Sequence, residues 1–249
     1  RYFFQKDQKP DFQLCDDPDF FIYAQKARAD WVVLLDFNDQ LVQLTPQDFV
    51  NQCLKQHLNI SDIFVGQDFR FGYRRSGDIA TLKDAGLHVE SIELLKDHGQ
   101  VVSSTAIRSA LENGDIVLAN QMLGRRYKVR GRVIKGSQLG QKLGFPTANL
   151  DIKNYVRIKH GIYCARVYQA SKKIGIGALY SGCRPTLDGV EERFEVYILN
   201  FDGNLYGQIL EIEIDQKIRD DQSFDDIIAL KKQMALDCAQ IHQFYQDFN

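Results

Sequence analysis

The pattern of the chain changes at residues 127–150, which read YKVRGRVIKGSQLGQKLGFPTANL. From here on, short segments that alternate apolar and polar residues follow one another, separated by glycine-rich turns. The later segments are GIYCARVY (161–168), KIGIGALY (173–180), RFEVYILNF (193–201) and LYGQILEIEI (205–214). Several such segments at close spacing predict an antiparallel barrel or sandwich.

The last segment of the chain, from about Phe224 to Tyr245, has apolar residues at roughly helical spacing. This spacing predicts a long amphipathic helix that packs on a core. The predicted core-facing residues are Ile227, Ile228, Leu230, Met234, Leu236, Ile241 and Phe244.

The first half, up to about Gly124, alternates strand-like and helix-like segments, which is typical of a parallel α/β sheet. Apolar runs predict strands at 31–37 (WVVLLDF), 62–66 and 88–95, and periodicity predicts helices at 45–58, 78–85, 104–112 and 115–123. Thr45 is the expected N-cap of the 45–58 helix, with Pro46 at its first position. We therefore divide the chain into domains at 1–124 and 125–249.

Composition narrows the classes of function. The chain has 249 residues, 44% of them hydrophobic and 26% charged, as in ordinary globular domains. A net charge of −2 argues against a nucleic-acid-binding surface, and no apolar run approaches the ~20 residues of a membrane helix. The five cysteines are scattered, so we expect reduced thiols in a cytoplasmic protein. The five histidines are equally dispersed, so any metal must use oxygen ligands.

The segment 135–150 contains a candidate phosphate and metal site. Gly136 and Gly140 let the backbone approach a phosphate closely. Thr147 and Asn149 follow in an extended stretch, where residues two apart point to the same face. Their hydroxyl and amide oxygens suit Mg²⁺, which completes its shell with phosphate and water. A glycine-rich hairpin without a ligand is the alternative interpretation.

Glu195 is a candidate general base. It alternates with the apolar residues Phe194 and Val196, so it points to the polar face of its strand. A glutamate in this position can simply be solvated. Next to a phosphate-binding loop, it could instead accept a proton from a substrate hydroxyl.

Four blocks together resemble one family. LGFPTANL (143–150), GCRPT (182–186), EVYILNFDGNLYG (195–207) and IRDDQSF (218–224) are similar, in order and spacing, to the riboflavin kinase module. In bacteria this module is commonly the C-terminal half of the bifunctional riboflavin kinase/FMN adenylyltransferase. The resemblance implies a small six-stranded antiparallel barrel with the terminal helix packed outside, preceded by a Rossmann-like nucleotidyltransferase domain.

For the second half, the resemblance implies transfer of the γ-phosphoryl group of ATP to riboflavin, giving FMN. Thr147 and Asn149 would bind Mg²⁺ (or Mn²⁺) and phosphate, and Glu195 would be the general base. Gly136 and Gly140 would cradle phosphate. Two weaker candidates near the flavin or the nucleotide are Arg184 and Arg219.

For the first half, VGQDFRFGYRRSGD (65–78) and VVSSTAIRSAL (101–111) resemble two nucleotide-site blocks of the adenylyltransferase, which converts FMN and ATP to FAD and pyrophosphate. The helix start at Ser103, Ser104 and Thr105 would hold triphosphate together with Arg108, since free N–H groups and the helix dipole favour anions. As an isolated block, the serine cap would more often be structural. The nucleotide site would be shaped by Asp68, Phe69, Arg70 and Gly72.

The sequence departs from the family pattern in three places. The His-x-Gly-His block of the adenylyltransferase does not occur in these residues, and we expect it to precede Arg1. Tyr197 replaces a histidine, and Asp221 stands where glutamate is more usual. Two alternatives follow: a riboflavin kinase with a vestigial first half, and a non-catalytic flavin carrier or sensor. Oligomeric state, metal preference and direct transfer of FMN between the halves stay open.

Overall fold

The computed structural model describes residues 12–97, 99–152, 154–186 and 189–247. The chain divides into two compact units. Of the described residues, unit 1 contains Arg28–Val102, and unit 2 contains residues 12–27 together with those from Ser103 onward.

The elements of the first half are α1 (Asp17–Lys26), α2 (Asp39–Gln43), α3 (Pro46–Asp48, continued as a π-helix over Phe49–His57), β1 (Asp62–Gly66), a 3₁₀ turn (Tyr73–Arg75), α4 (Ile79–Asp84), β2 (His88–Ile92), β3 (Lys96–Asp97), β4 (Gln100–Val101), α5 (Ser104–Asn113) and α6 (Ile116–Leu123). Those of the second half are β5 (Tyr127–Ile134), α7 (Leu139–Leu143), β6 (Thr147–Asp151), β7 (Gly161–Gln169), β8 (Lys172–Thr186), β9 (Gly189–Ile198), β10 (Ile209–Asp220) and α8 (Ile227–Asp247).

The helices of the first half begin at side-chain caps, as the sequence predicts. The Thr45 hydroxyl accepts a hydrogen bond from the backbone N–H of Asp48, with Pro46 at the first helical position. Ser103 caps α5 in the same way by accepting from the N–H of Ala106 at 3.1 Å. Such caps satisfy backbone donors that have no partner inside the helix. The four predicted helices of this half are confirmed.

Unit 1 has a small parallel sheet covered by helices. β1 pairs with β2 in parallel, with Asp62 opposite His88. Behind this sheet, Val50, Leu54, Val65, Phe71, Leu82 and Leu87 form a buried apolar core. The predicted α/β character of the first half is therefore confirmed, and the strand at 88–95 is shorter than predicted, ending at Ile92.

The predicted strand at 31–37 is wrong. Residues 31–37 have no regular secondary structure, and the side chains of Trp31 and Leu34 are 89% and 61% exposed. A strand of a parallel sheet needs hydrogen-bonding neighbours, and none of the described strands pairs with this segment. The apolar pattern alone indicates a tendency to be buried, whereas strand formation also requires a pairing partner.

Unit 2 is built around a closed barrel, as the resemblance implies. Its six strands follow the order β10-β5-β6-β9-β8-β7, and every neighbouring pair is antiparallel. Alternate residues of the strands point inward, so that Val129, Leu179, Val196 and Ile212 have almost no exposed surface. Closure leaves no free sheet edge and fixes which residues of each strand face outward.

Helix α8 packs on the outside of the barrel, where Ile241 and Tyr245 cover the buried Cys164 on β7. Ile227, Ile228 and Leu236 are 59%, 80% and 50% exposed, so their predicted core positions are wrong. The buried side of α8 includes the carboxylate of Asp237 instead, which forms a two-point ion pair with Arg219 of β10 at 2.9 and 2.7 Å. No helix within the described residues is long and apolar enough to cross a bilayer.

Candidate active site

The predicted base and the predicted metal ligands meet on the outer face of the barrel. β6 and β9 are paired so that Asn149 lies directly opposite Glu195 and Thr147 opposite Tyr197. Phe194 and Val196 are buried, so Glu195 faces outward as predicted, and its side chain is 15% exposed. The Thr147 hydroxyl donates a 2.9 Å hydrogen bond to Oε2 of Glu195. The structure thus brings these three residues together.

Arg193 holds the other oxygen of the same carboxylate. It lies two residues before Glu195, and its Nη1 is 2.8 Å from Oε1 of Glu195. The same Nη1 is 3.5 Å from the hydroxyl oxygen of Ser137, in the glycine-containing segment. Sequence reasoning missed Arg193, although the period of two in a strand places residues 193 and 195 on one face.

The two predicted glycines pack against these same side chains. A Cβ atom on Gly136 would lie 2.4 Å from Oδ1 of Asn149, closer than real Cβ contacts allow. On Gly140, a Cβ would lie 2.4 Å from the carbonyl oxygen of Phe145 and 3.4 Å from the Thr147 hydroxyl. Any side chain at either position would therefore displace groups of the site, which is a physical reason for glycine at both.

A cavity of about 270 Å³ adjoins Thr147. Its walls are largely apolar, and the loop after β9 provides Phe201, Leu205 and Tyr206. Apolar and aromatic side chains beside a few polar groups are typical of a ligand pocket. These residues belong to the block at 195–207 that resembles the riboflavin kinase module, but the sequence predicts no role for them individually. The cluster of aromatic and glycine residues in FDGNLY (201–206) is a signal that could have found them.

The donor set suits a hard cation. The Thr147 hydroxyl and the Asn149 amide oxygen are oxygen donors on β6, opposite the strand that carries the proposed base Glu195. Mg²⁺ prefers oxygen donors and takes few of them from protein. Among the residues that the structure describes, no three His, Cys, Asp or Glu side chains cluster as a metal-binding group. The hydroxyl and amide oxygens of the site therefore fit a hard cation.

Tyr180 of β8 lies directly opposite Glu195 on its other side. Its hydroxyl donates a 3.2 Å hydrogen bond to Oδ2 of Asp221. Burial, followed by the charge of Asp221, raises the pKa of Tyr180, so the phenol stays a proton donor. Asp221, which departs from the family pattern, is thereby connected to the site. The other departure, Tyr197, packs edge-on against Phe145 at 5.4 Å between ring centroids.

The two weaker arginine candidates lie differently. The guanidinium of Arg219 binds Asp237 of α8 and also donates to the backbone carbonyl of Asp220 at 3.0 Å. Its observed contacts therefore hold α8 to the barrel. The backbone of Arg184 belongs to β8, next to Cys183. The side chain of Arg184 lies outside the part of the chain that is described.

Four of the nucleotide-site candidates lie in unit 1. Arg70 forms a 2.8 Å ion pair with Asp78, the N-cap of α4, and Phe69 stacks on Phe71. Gly72 has a φ of +69°, and a Cβ there would lie 2.7 Å from the backbone nitrogen of Pro46. Gly72 is therefore required by the turn itself. Asp68 lies in the same loop, and a Cβ on Gly66 would be 3.3 Å from its Oδ1.

The candidates at the start of α5 lie in unit 2. Ser103 is the N-cap, and Ser104 and Thr105 are exposed in the first turn. Nε of Arg108 donates a 2.8 Å hydrogen bond to the backbone carbonyl of Phe12. Ser103 therefore has the structural role of a helix cap, which is the alternative that its sequence block predicts when taken alone.

Comparisons with known proteins match both halves of the chain. A riboflavin kinase family model matches residues 123–245, and an FAD synthetase model matches residues 1–106. The chain is 36% identical over 231 residues to a bifunctional riboflavin kinase/FMN adenylyltransferase of Haemophilus influenzae, covering 91% of this chain and 75% of that protein. The Escherichia coli K12 protein of the same name is 34% identical over 227 residues, covering 90% and 72%.

A solved structure also matches almost the whole chain. It is a crystal structure from Streptococcus pneumoniae described as a macrolide-efflux protein, with a TM-score of 0.85 and 28% sequence identity. The match covers 94% of this chain and 78% of the other. Both units of the chain therefore have counterparts in one known polypeptide.

Proposed function

Because the chain belongs to the family of bifunctional riboflavin kinases/FMN adenylyltransferases, we propose that it phosphorylates riboflavin to FMN and adenylylates FMN to FAD. Segments of both activities are present in the chain, and the relatives are named as bifunctional. This favours the two-activity interpretation over a kinase with a vestigial first half.

In the kinase reaction, Glu195 accepts the proton of the ribityl 5′-hydroxyl of riboflavin. The hydroxyl oxygen forms a new bond to the γ-phosphorus of ATP, the bond from that phosphorus to the β–γ bridging oxygen breaks, and ADP leaves. Phosphoryl transfer depends mainly on positioning and charge stabilisation. The observation that supports this assignment most strongly is the 2.9 Å hydrogen bond between Glu195 and Thr147, the proposed phosphate and metal ligand.

ATP would lie along the glycine-containing segment. Gly136 and Gly140 would let the backbone come close to its phosphates, and the cavity with Phe201 and Tyr206 would accept the nucleobase. Thr147 and Asn149 would hold Mg²⁺ through their side-chain oxygens. When bound, Mg²⁺ (or Mn²⁺) would neutralise negative charge on the phosphates.

For the adenylyltransferase reaction, the candidates in unit 1 are Asp68, Phe69, Arg70 and Gly72, and those in unit 2 are the start of α5 and Arg108. We assign this activity to residues 1–124 and the kinase to 125–249, which the ranges of the two family matches support. The compact units divide the chain differently, since α1, α5 and α6 group with the barrel. The free cysteines among the described residues are consistent with a cytoplasmic location.

The test is to incubate the intact gene product with riboflavin, ATP and Mg²⁺ and to separate the flavins. The proposal predicts FMN first and FAD afterwards. FMN that accumulates without FAD would favour the kinase with a vestigial first half. Absence of any flavin phosphate, with riboflavin still bound, would favour the flavin carrier or sensor and contradict the proposal.

A further inference from the structure

The carboxylate of Glu195 is held at both of its oxygens. Thr147 donates to Oε2 at 2.9 Å, and Nη1 of Arg193 approaches Oε1 at 2.8 Å. These two contacts come from different strands, β6 and β9. A carboxylate with one partner can rotate about its terminal torsion, whereas two partners on opposite oxygens fix its plane.

Arg193 also approaches the segment on which we place the phosphates of ATP. Its Nη1 is 3.5 Å from the hydroxyl oxygen of Ser137, next to Gly136. The Arg193 side chain is 15% exposed, so its guanidinium is largely shielded from water and lies between the carboxylate and this segment. Charge-assisted contacts in such surroundings are stronger than those on an open surface.

We propose that Arg193 is a positioning residue for phosphoryl transfer: its guanidinium fixes Oε1 of Glu195, so that Oε2, beside Thr147, is the oxygen that receives the proton of the substrate hydroxyl. The inference rests on the proposed role of Glu195 as base. A base must be held close to its productive geometry, because small displacements of reacting groups cost large factors in rate. Arg193 acts through Glu195 and does not itself contact the reacting atoms.

The first experiment measures steady-state FMN formation by full-chain variants with riboflavin, ATP and Mg²⁺. Arg193→Ala should lower kcat by about 10- to 100-fold, as expected for loss of a group that orients a catalytic residue, and leave both KM values within about twofold. Arg193→Lys should recover most of the loss, because an ammonium group can also donate to Oε1. If kcat is unchanged in Arg193→Ala, the proposal is wrong.

A matched control distinguishes positioning from general stabilisation. Arg166 is another barrel arginine paired with a carboxylate: its Nε is 3.4 Å from Asp215, and its side chain is 18% exposed, close to the value for Arg193. Arg166→Ala should lower the melting temperature and leave kcat unchanged. If Arg193→Ala does not fold, Arg193→Met, which keeps the aliphatic volume and removes the donors, takes its place with the same expected loss of kcat.

A double-mutant cycle with Glu195→Gln tests whether Arg193 acts through the base. If it does, Arg193→Ala should change the residual activity of Glu195→Gln by less than about twofold. An equal loss in both backgrounds would show that Arg193 acts on another group and would overturn the inference. Failure of the proposed function has a different signature, since the wild-type chain would then form no FMN. Failure of Glu195 as the base would leave Glu195→Gln at the wild-type rate of FMN formation.

Discussion

The side-chain hydroxyl of Thr147 donates a hydrogen bond of 2.9 Å to Oε2 of Glu195. The two residues belong to adjacent antiparallel strands of a closed barrel, β6 and β9, so the backbone fixes their separation. This relationship joins the proposed metal ligand to the proposed base. Because both lie on rigid strands, the arrangement needs little ordering when substrates bind.

Thr147→Val removes the hydroxyl and keeps the branched shape of the side chain. Hydrogen bonds to charged groups contribute about 1.5–3 kcal/mol, so we expect FMN formation to fall by about 10- to 100-fold. Thr147→Ser keeps the hydroxyl and should retain most activity. The measurement is kcat/KM for ATP and for riboflavin; equal rates for the valine and serine variants would contradict the assigned role of the hydroxyl.

Gly136→Ala introduces a methyl group where Asn149 now lies, with 2.4 Å between the added carbon and Oδ1 of Asn149. Since a displacement of about 1 Å in a site costs about 100-fold in rate, the variant should lose most of its kinase activity. Gly124→Ala is the control: Gly124 has a positive φ of +64°, and a Cβ there meets nothing within 4 Å. It should lower the melting temperature and leave FMN formation intact.

Asp237 of α8 is buried and paired with Arg219 at two points, 2.9 and 2.7 Å. Asp237→Ala leaves the guanidinium without its partner, so we expect a loss of about 3 kcal/mol in the free energy of unfolding of unit 2. Urea unfolding followed by circular dichroism measures it. Lys159→Ala breaks an exposed ion pair with Asp220 and should have little effect.

Because the thiol of Cys164 is buried, we expect the folded protein to lose stability at high pH. Burial, with a smaller effect of Asp215, raises the pKa of Cys164 from 9.0 to about 12. A raised pKa in the folded state means that its stabilising contribution is complete below pH 9.0 and is lost as pH rises towards 12. Burial also raises the pKa of Tyr163 and Tyr245 above the ordinary value of 10.0. Their ionisation therefore also lowers the stability of the folded protein, but only at a higher pH than that of the thiol.

We therefore expect the melting temperature to fall as pH rises above 9.0, the ordinary thiol value. Cys164→Ala removes the thiol from a buried position under α8, and its melting temperature should depend less steeply on pH just above that value. The mutant should be less stable overall, because the substitution leaves a small cavity. A pH dependence identical to that of the wild type would contradict this explanation.

An antiparallel barrel or sandwich could be predicted from the sequence because its strands alternate between a buried and an outward face. The choice of a six-stranded barrel came from the family resemblance, and the structure confirms it. Reasoning from the apolar pattern failed at 31–37, where the apolar composition is that of a strand but the described residues provide no pairing partner. The helix α8 was predicted correctly from the spacing of its apolar residues. Its buried side was not, because that side includes Asp237, which pairs with Arg219.

The sequence singles out three residues that lie together in the structure, but it does not identify the arginine that contacts them. Thr147, Asn149 and Glu195 lie together because β6 pairs with β9 in one register, which the sequence alone does not give. Arg193 was missed because a charged residue on a strand is more often solvated, and only its 2.8 Å contact with Glu195 indicates otherwise. For Arg219, the family resemblance implied a position near the flavin or the nucleotide. In the structure, its guanidinium donates to the buried carboxylate of Asp237.

The most direct test of the central claim is to compare turnover with riboflavin binding in Glu195→Ala. If Glu195 is the base, turnover should fall by about 10²- to 10⁴-fold. The dissociation constant of riboflavin, followed by flavin fluorescence, should stay within about twofold of that of the wild type. FMN formation at the wild-type rate would contradict the account, because another group would then have to accept the substrate proton.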